Sequence, residues 1–168
     1  MSIDPNVRTA VIPDGRAYRQ RLERLVGAAD VVRLSRDDLA WLDPAEPAAT
    51  AGRWLAAGAA LVVVTSGRER ATAYHRSGEV SVPAEPVELV DTIGAGDAFN
   101  AGLLAWLYEA GRLRRDGIES LGSGKLAEAL RLAGRVAALT CERAGADPPH
   151  LDQLEVTRRS RGGRQDRG

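Results

Sequence analysis

The sequence contains one cysteine, Cys141, and two histidines, His75 and His150. A single thiol cannot form an intramolecular disulfide, and it is too few for a zinc site built on cysteine. Neither histidine has a carboxylate or a second histidine at ligand spacing, whereas a metal site needs three or four converging ligands. These absences exclude a disulfide scaffold and a cysteine-based zinc protein, and we expect both histidines to be ordinary surface or edge residues.

Long apolar runs are missing as well. No window approaches the roughly 18 uninterrupted apolar residues of a membrane-spanning helix. The residues Asp4-Pro5-Asn6 near the start also lack the charged and apolar regions of a secretory signal. These absences favour a cytoplasmic protein without a membrane partner.

What the sequence does have is the composition of one globular domain. Its 168 residues are 44% hydrophobic and 27% charged, with a formal net charge of zero. Residues 158–168 hold five arginines and one aspartate, so the rest of the chain carries a net charge of −4. This basic segment has no aromatic side chain to stack on bases and no apolar face. We therefore predict a folded domain over residues 1–157, a disordered basic tail over 158–168, and no nucleic-acid partner.

Hydrophobic spacing in the first half predicts an α/β fold. Tyr18, Leu22, Leu25 and Val26 fall on one helical face, and the apolar, β-branched run over 60–65 is typical of a strand buried on both faces. The elements predicted in chain order are a strand end at residues 2–3, a helix over 17–29, a strand over 30–34, a helix capped by Ser35 and running to Leu42, a proline-containing loop, a helix over 50–57, and a strand over 60–65.

The second half predicts antiparallel strands followed by helices. The stretches 71–75 and 80–82 are separated by four turn residues, 76–79, which indicates a hairpin. A strand over 87–90, an apolar helix over 98–110 and a long helix over 125–142 follow. The sheet is therefore expected to be mixed, with antiparallel strands late in the chain.

A glycine-rich turn, Gly94-Ala95-Gly96-Asp97, lies between the predicted strand and the apolar helix. The free N–H groups and the dipole of a helix's first turn form an anion site, and the two glycines remove side chains that would block a phosphate. Asp97 would repel a phosphate unless it accepts a proton from a hydroxyl that attacks that phosphate. The turn therefore indicates phosphoryl transfer to an alcohol. A simpler alternative is a tight turn in which Asp97 only caps the helix.

Two other phosphate-binding motifs do not fit the sequence. A dinucleotide fingerprint needs a third glycine where Phe99 stands. A P-loop needs Gly-Lys followed by Ser or Thr, whereas Gly124-Lys125 precedes Leu126 and lacks the upstream glycine at Glu119. An NAD-binding module and a P-loop nucleotidase are therefore disfavoured.

Residues 91–99 resemble the C-terminal signature of the ribokinase-like (PfkB) carbohydrate kinases, DTxGAGDxF, and Asn100-Ala101-Gly102 continues it. Four further segments resemble the family in the same order along the chain. They are 4–8, which is similar to the D-x-N-x-R of the fructokinase and ketodeoxygluconate kinase branches, 29–35, 64–67 and 137–146. The resemblance implies a partial domain with a three-layer, Rossmann-like α/β fold, in which helices cover both faces of the sheet.

The resemblance also implies roles for individual residues. Asp97 would be the catalytic base and a sugar contact, and the amides of Gly94, Ala95 and Gly96 would form the anion hole for the transferred phosphoryl group. Arg8 would reach the acceptor or the phosphoryl group. The residues that would bind ATP and its Mg²⁺ are Ser35, Asp38, Thr65, Ser66, Gly67 and Gly134. In potassium-activated members, K⁺ is surrounded by the equivalents of Asp91, Ile93, Thr140, Arg143 and Gly145.

The sequence departs from the family at three places. Ser35-Arg36-Asp37-Asp38 stands where the family has N-x-x-E, the loop at 67–70 lacks a second glycine, and the family's N-terminal half with its Gly-Gly sugar motif has no counterpart in these 168 residues. The resemblance implies an ATP-dependent sugar kinase, with fructose or a ketodeoxy sugar acid as the favoured acceptor. The alternative is a truncated or degenerate kinase that binds nucleotide without catalysis. A homodimer is compatible with both alternatives.

Overall fold

A computed structural model describes residues 1–150 and 153–154. The predicted tail over 158–168 and the predicted domain end at residue 157 lie outside the described residues. The strands are β1 (Ser2–Ile3), β2 (Val31–Ser35), β3 (Leu61–Ser66), β4 (Arg70–His75) and β5 (Gly78–Pro83). The helices are α1 (Gly15–Ala28), α2 (Arg36–Leu42), α3 (Pro47–Ala57), α4 (Ala95–Glu109), α5 (Arg115–Glu119) and α6 (Ser123–Cys141). In the part of the chain described, no helix is long and apolar enough to span a bilayer.

The strands form one mixed sheet in the order β1-β2-β3-β4-β5. β1, β2 and β3 run parallel, with Val31 of β2 opposite Leu61 of β3. β4 runs antiparallel to β3, and β5 runs antiparallel to β4. The parallel strands early in the chain and the hairpin after them confirm the predicted mixed sheet.

Helices cover both faces of this sheet. Because side chains alternate along a strand, Val32 and Leu34 of β2 belong to one core cluster, which they share with α1, α2 and α3. Val31 of β2 and Val63 of β3 belong to a second cluster on the opposite face, shared with α4, α5 and α6. The two clusters on opposite faces confirm the predicted three-layer α/β fold.

The strand predicted over 87–90 is wrong. The N–H groups of Val90 and Asp91 donate to the carbonyl oxygen of Cys141, at 2.8 and 3.1 Å. Their hydrogen bonds therefore go to the C-terminal end of α6 and not to a neighbouring strand. The loop predicted around Pro47 is also shorter than expected, because α3 begins at this proline, which is favoured at the first position of a helix.

The prediction for His75 as an ordinary surface or edge residue needs correction. His75 is only 4% exposed, and its Nδ1 accepts a hydrogen bond from the N–H of Ser77 at 3.1 Å. Burial lowers the pKa of His75 below its ordinary value. His150 is exposed.

Arg115 ties α5 to the amino ends of the parallel strands. Its guanidinium forms an ion pair with Asp30 at 2.9 Å and donates to the carbonyl oxygens of Ala29 and Gly58 at 3.0 and 2.7 Å. Asp30 directly precedes β2, and Gly58 directly follows α3. Arg115 therefore fastens the end of the sheet opposite the carboxyl ends of β2 and β3.

Replacing Gly58 by alanine is expected to lower the free energy of unfolding by about 2–4 kcal/mol. Gly58 has a φ of +128°, and a Cβ on it would lie 2.5 Å from the carbonyl oxygen of Gly27. Gly52→Ala is the matched control, because Gly52 lies within α3, the helix that Gly58 directly follows, and has nothing within 4 Å of its Cβ position. This control should gain about 0.5–1 kcal/mol. Urea unfolding measures both, and equal midpoints would contradict the close contact.

Candidate functional site

A cavity of about 220 Å³ opens between the end of β3, the segment after β5, and helices α4 and α6. Five residues that sequence reasoning assigned to nucleotide or phosphate binding line it: Thr65, Gly67, Ala95, Gly96 and Gly134. Most of the remaining wall is apolar, and three arginines also border the cavity, Arg33, Arg68 and Arg70. Such a cavity can hold a flat apolar ring and the anionic group attached to it.

The glycine-rich turn begins α4 through a left-handed residue. Gly94 is the N-cap, with a φ of +77°, and a Cβ on it would lie 2.8 Å from the Cβ of Ala146. The N–H of Ala95 donates to the carbonyl oxygen of Thr92 at 3.2 Å. Among the described residues, the N–H groups of Gly94, Gly96 and Asp97 have no hydrogen-bond acceptor. The turn therefore presents unpaired donors at the positive end of a helix, which is the arrangement that binds anions.

Asp97 lies in the first turn of α4, with an exposed side chain. Its carboxylate has no hydrogen-bond partner in the described part of the chain, and α4 has no side-chain cap. The alternative in which Asp97 serves only as a helix cap therefore does not match the geometry. A carboxylate left free beside unpaired amides can accept a proton from an incoming hydroxyl.

Asp91 fastens the turn to the segment after α6. Its Oδ1 accepts a hydrogen bond from the N–H of Ile93 at 3.0 Å, and its Oδ2 accepts one from the N–H of Gly145 at 2.9 Å. These two donors lower the pKa of Asp91 below its ordinary value. The structure thus brings together three of the five residues predicted around a monovalent cation.

The other two residues of that predicted set have partners of their own. The Thr140 hydroxyl donates to the carbonyl oxygen of Val136 at 2.8 Å. The Arg143 guanidinium donates to Asp147 at 3.2 Å and to Gln153 at 2.9 Å. The Thr140 carbonyl oxygen also accepts a hydrogen bond from the Arg143 N–H at 3.2 Å, and neither side chain is left unpaired for a cation.

Ser35 and Asp38 form a closed unit at the start of α2. The Ser35 hydroxyl accepts a hydrogen bond from the Asp38 N–H at 3.0 Å and donates to Asp38 Oδ2 at 2.8 Å. This confirms the predicted cap. Asp38 Oδ1 accepts from the N–H of Val7 at 3.2 Å, which ties α2 to the segment that carries Arg8. Arg8 itself is exposed and donates to the carbonyl oxygen of Val7 at 3.2 Å.

Thr65 and Ser66 point to different faces of the sheet. Thr65 lines the cavity, and its Oγ1 accepts a hydrogen bond from Arg33 Nη2 at 2.6 Å. Ser66 borders a second, polar cleft on the opposite face, together with Arg36 and Glu69. The structure therefore places Thr65 in the site and does not bring the Ser66 side chain to it.

Arg33 is a site residue that sequence reasoning missed. Its side chain is 8% exposed and forms an ion pair with Asp4 at 2.9 Å, in addition to its bond to Thr65. A Cβ on Gly96 would lie 2.6 Å from Arg33 Nη1. The space left by the missing side chain of Gly96 is therefore occupied by the arginine. The signal was a charged residue inside the apolar run Val31-Val32-Arg33-Leu34.

Among proteins of known sequence, the chain is similar to curated relatives that are named fructokinase. The Rhizobium leguminosarum bv. trifolii fructokinase is 41% identical over 122 residues, which are 72% of this chain and 37% of that protein. Fructokinase-1 of Oryza sativa subsp. japonica is 32% identical over 159 residues, which are 93% of this chain and 47% of that protein. The chain therefore spans less than half the length of these relatives.

Solved structures give the same fold. A fructokinase with bound ATP from Xylella fastidiosa matches with a TM-score of 0.83 and 28% identity, over 96% of this chain and 52% of that chain. A Vibrio cholerae O395 fructokinase double mutant, in fructose, ADP and potassium ion bound form, matches with a TM-score of 0.76 and 29% identity, over 92% of this chain and 49% of that chain. A putative ribokinase II of E. coli in complex with ATP and Mg²⁺ gives a TM-score of 0.76 and 25% identity, over 95% and 48%.

The sequence profile described as pfkB family carbohydrate kinase matches residues 1–153 of the 168. That match includes the Gly94–Asp97 turn, the cavity beside it and both layers of helices. A chain whose sequence matches over this length, and whose fold matches structures of the same class, belongs to the pfkB family of carbohydrate kinases.

Proposed function

We propose that the protein transfers the γ-phosphoryl group of ATP to a hydroxyl of a fructose-like sugar. The observation that carries the proposal is the free carboxylate of Asp97 in the same helix turn as the unpaired N–H groups of Gly94 and Gly96, of which Gly96 lines the apolar cavity. The fructokinase relatives favour fructose over a ketodeoxy sugar acid. The absence of a spanning helix among the described residues is compatible with the cytoplasmic location that we also propose.

The reaction assigns a separate task to each group of the turn. Asp97 accepts the proton of the sugar hydroxyl while the hydroxyl oxygen forms a bond to the γ-phosphorus and the bond from that phosphorus to the departing ADP oxygen breaks. The unpaired amides of Gly94 and Gly96 hold the oxygens of the transferred group, whereas the Ala95 amide between them donates to the carbonyl oxygen of Thr92 at 3.2 Å. The α4 dipole adds to this attraction. The Arg8 side chain, exposed beside Val7, reaches the acceptor or the phosphoryl group.

The nucleotide occupies the cavity. Gly134 lies beside the adenine, and Thr65, Ser66 and Gly67 follow the ribose and the phosphates, with Ser66 contributing through its main chain. Ser35 and Asp38, at the start of α2, contribute to binding of ATP and its Mg²⁺. Mg²⁺ would enter with ATP and would supply positive charge against the phosphates. The Asp38 carboxylate and the Ser35 hydroxyl are oxygen donors of the kind that a hard cation prefers, although they hydrogen-bond to each other in this structure.

We also propose a monovalent-cation site beside the turn, where Asp91 accepts hydrogen bonds from the N–H groups of Ile93 and Gly145. The Asp91 carboxylate supplies negative charge, and the main-chain oxygens of Ile93, Thr140, Arg143 and Gly145 complete the proposed donor set. Such a cation would fix the orientation of the amides in the turn. We propose K⁺ for this role, in line with the potassium ion named in the Vibrio cholerae structure.

Product analysis tests the proposed function. The protein is incubated with ATP and Mg²⁺ and with fructose, ribose or ketodeoxygluconate in turn, and sugar phosphates and ADP are quantified. Phosphorylation of fructose in preference to the other two is the expected result. Tight ATP binding, measured by calorimetry, without phosphorylation of any sugar would favour the alternative of a chain that binds nucleotide without catalysis.

Gly134→Leu is expected to weaken ATP binding at least about tenfold while leaving the fold stable. Gly134 lines the cavity, and its Cβ position has nothing within 4 Å, so the leucine side chain would fill space proposed for the adenine. Gly124→Leu is the matched control, since Gly124 lies in the same helix, has equally open surroundings and does not border the cavity. Calorimetric titration with ATP compares them. Equal affinities in the two variants would place the adenine elsewhere.

A further inference from the structure

Arg33 carries a positive charge into the interior of the parallel sheet. Its side chain and that of Asp4 are each 8% exposed, and the two groups form an ion pair at 2.9 Å. Nη2 of the same guanidinium donates to Thr65 Oγ1 at 2.6 Å. Arg33 on β2 thus joins the segment after β1 to the end of β3, next to the cavity.

The same guanidinium supports the first turn of α4. Cζ of Arg33 lies 5.6 Å from the centre of the Phe99 ring, and Nη1 of Arg33 occupies the space where a side chain on Gly96 would lie. Three segments of the proposed site therefore meet on one side chain: the loop after β1, the threonine at the end of β3, and the glycine-rich turn. Displacement of the arginine would release all three contacts.

The position of this charge is electrostatically unusual. A helix N-terminus is already positive, so a cation placed beneath it is not favoured by the helix itself. Burial of the pair also costs free energy that its attraction does not always recover. Asp4 balances the charge of Arg33, so the pair contributes to phosphate binding at the turn by placing the turn and not by adding net positive charge.

We propose that Arg33 is a positioning residue for phosphate binding. It holds the glycine-rich turn against Thr65 and so keeps the unpaired amides of the turn in position for the phosphates of the nucleotide. The inference rests on the proposed function, because it takes the phosphates of ATP as the anion.

The test compares binding of ATP and adenosine by calorimetry in the whole chain. Adenosine occupies the cavity without phosphates, so the ratio of the two affinities isolates the contribution of the phosphates. Arg33→Met leaves Asp4 buried and unpaired and threatens the fold. The informative variants are therefore Arg33→Met combined with Asp4→Asn, which removes both charges, and Arg33→Lys, which keeps the charge but not the two-pronged contact.

Arg115→Met is the matched control, since Arg115 fastens the opposite end of the same strands through three contacts. In the double variant the preference for ATP over adenosine should fall about tenfold, with adenosine affinity unchanged, because the turn loses the contact that Arg33 makes between it and Thr65. In Arg33→Lys the preference should fall less. Arg115→Met should lower the unfolding midpoint and leave the preference as it is.

Two outcomes would overturn the inference in distinguishable ways. If the unaltered chain prefers ATP and the double variant keeps that preference, Arg33 is a purely structural residue and the proposed function stands. If the unaltered chain binds no ATP, the proposed function fails and the inference fails with it.

Discussion

Asp97→Asn is expected to reduce sugar phosphorylation by at least about 10²-fold, the usual size of the loss when a general base is removed. Asparagine has the same shape as aspartate but cannot take the proton of the attacking hydroxyl. The carboxylate of Asp97 has no hydrogen-bond partner among the described residues, so its replacement breaks no hydrogen bond of the described fold. ATP affinity should stay the same or rise, because a negative charge near the phosphates is removed.

Initial rates and calorimetric ATP titrations on one preparation separate the two effects. Asp116→Asn is the control, because Asp116 is another acidic residue in the first turn of a helix, α5, with a side chain that is 79% exposed. It should match the unaltered protein in both measurements. Near-normal turnover in the Asp97 variant would show that this carboxylate is not the base, whatever the nucleotide affinity.

The fold was predictable where its causes are local in the sequence. The β-branched run that forms β3 and the hydroxyl of Ser35 that caps α2 each act within a few residues, and both predictions are confirmed. The strand expected over 87–90 failed for the opposite reason. The N–H groups of Val90 and Asp91 donate to the carbonyl oxygen of Cys141 at the end of α6, about fifty residues further along the chain. The local sequence around residues 87–90 does not predict such a distant acceptor.

The candidate site shows the same difference between features with local causes and features with long-range causes. The glycine-rich turn was found because two glycines and an aspartate at the start of an apolar helix are adjacent residues with a shared chemical meaning. Arg33 was missed because its partners, Asp4, Thr65 and Gly96, come from three separate segments. A charge in a buried strand indicates that a partner exists without indicating which residue it is.

Gly94→Ala is expected to lower phosphorylation by about 10²–10³-fold, the range seen when donors that stabilise a developing charge are displaced. Alanine at a φ of +77° is strained, and its Cβ would lie 2.8 Å from the Cβ of Ala146. The segment around Ala146 cannot retreat freely, because Gly145 donates to Asp91. The turn itself must therefore shift, and its unpaired amides shift with it.

Two further variants show whether a displaced turn or a weakened fold causes that loss. Gly111→Ala imposes a similar backbone strain at a φ of +65°, with nothing within 4 Å of the Cβ position, so it should cost about 1–2 kcal/mol of stability and leave turnover unchanged. Combining Gly94→Ala with Ala146→Gly removes the collision between the two methyl groups but keeps the strain. Part of the lost activity should return in this double variant, because the turn can move back towards its original place. Rates and unfolding midpoints that fell together in Gly94→Ala and Gly111→Ala would instead mean that the turn acts only through stability, and the anion site would have to be sought elsewhere.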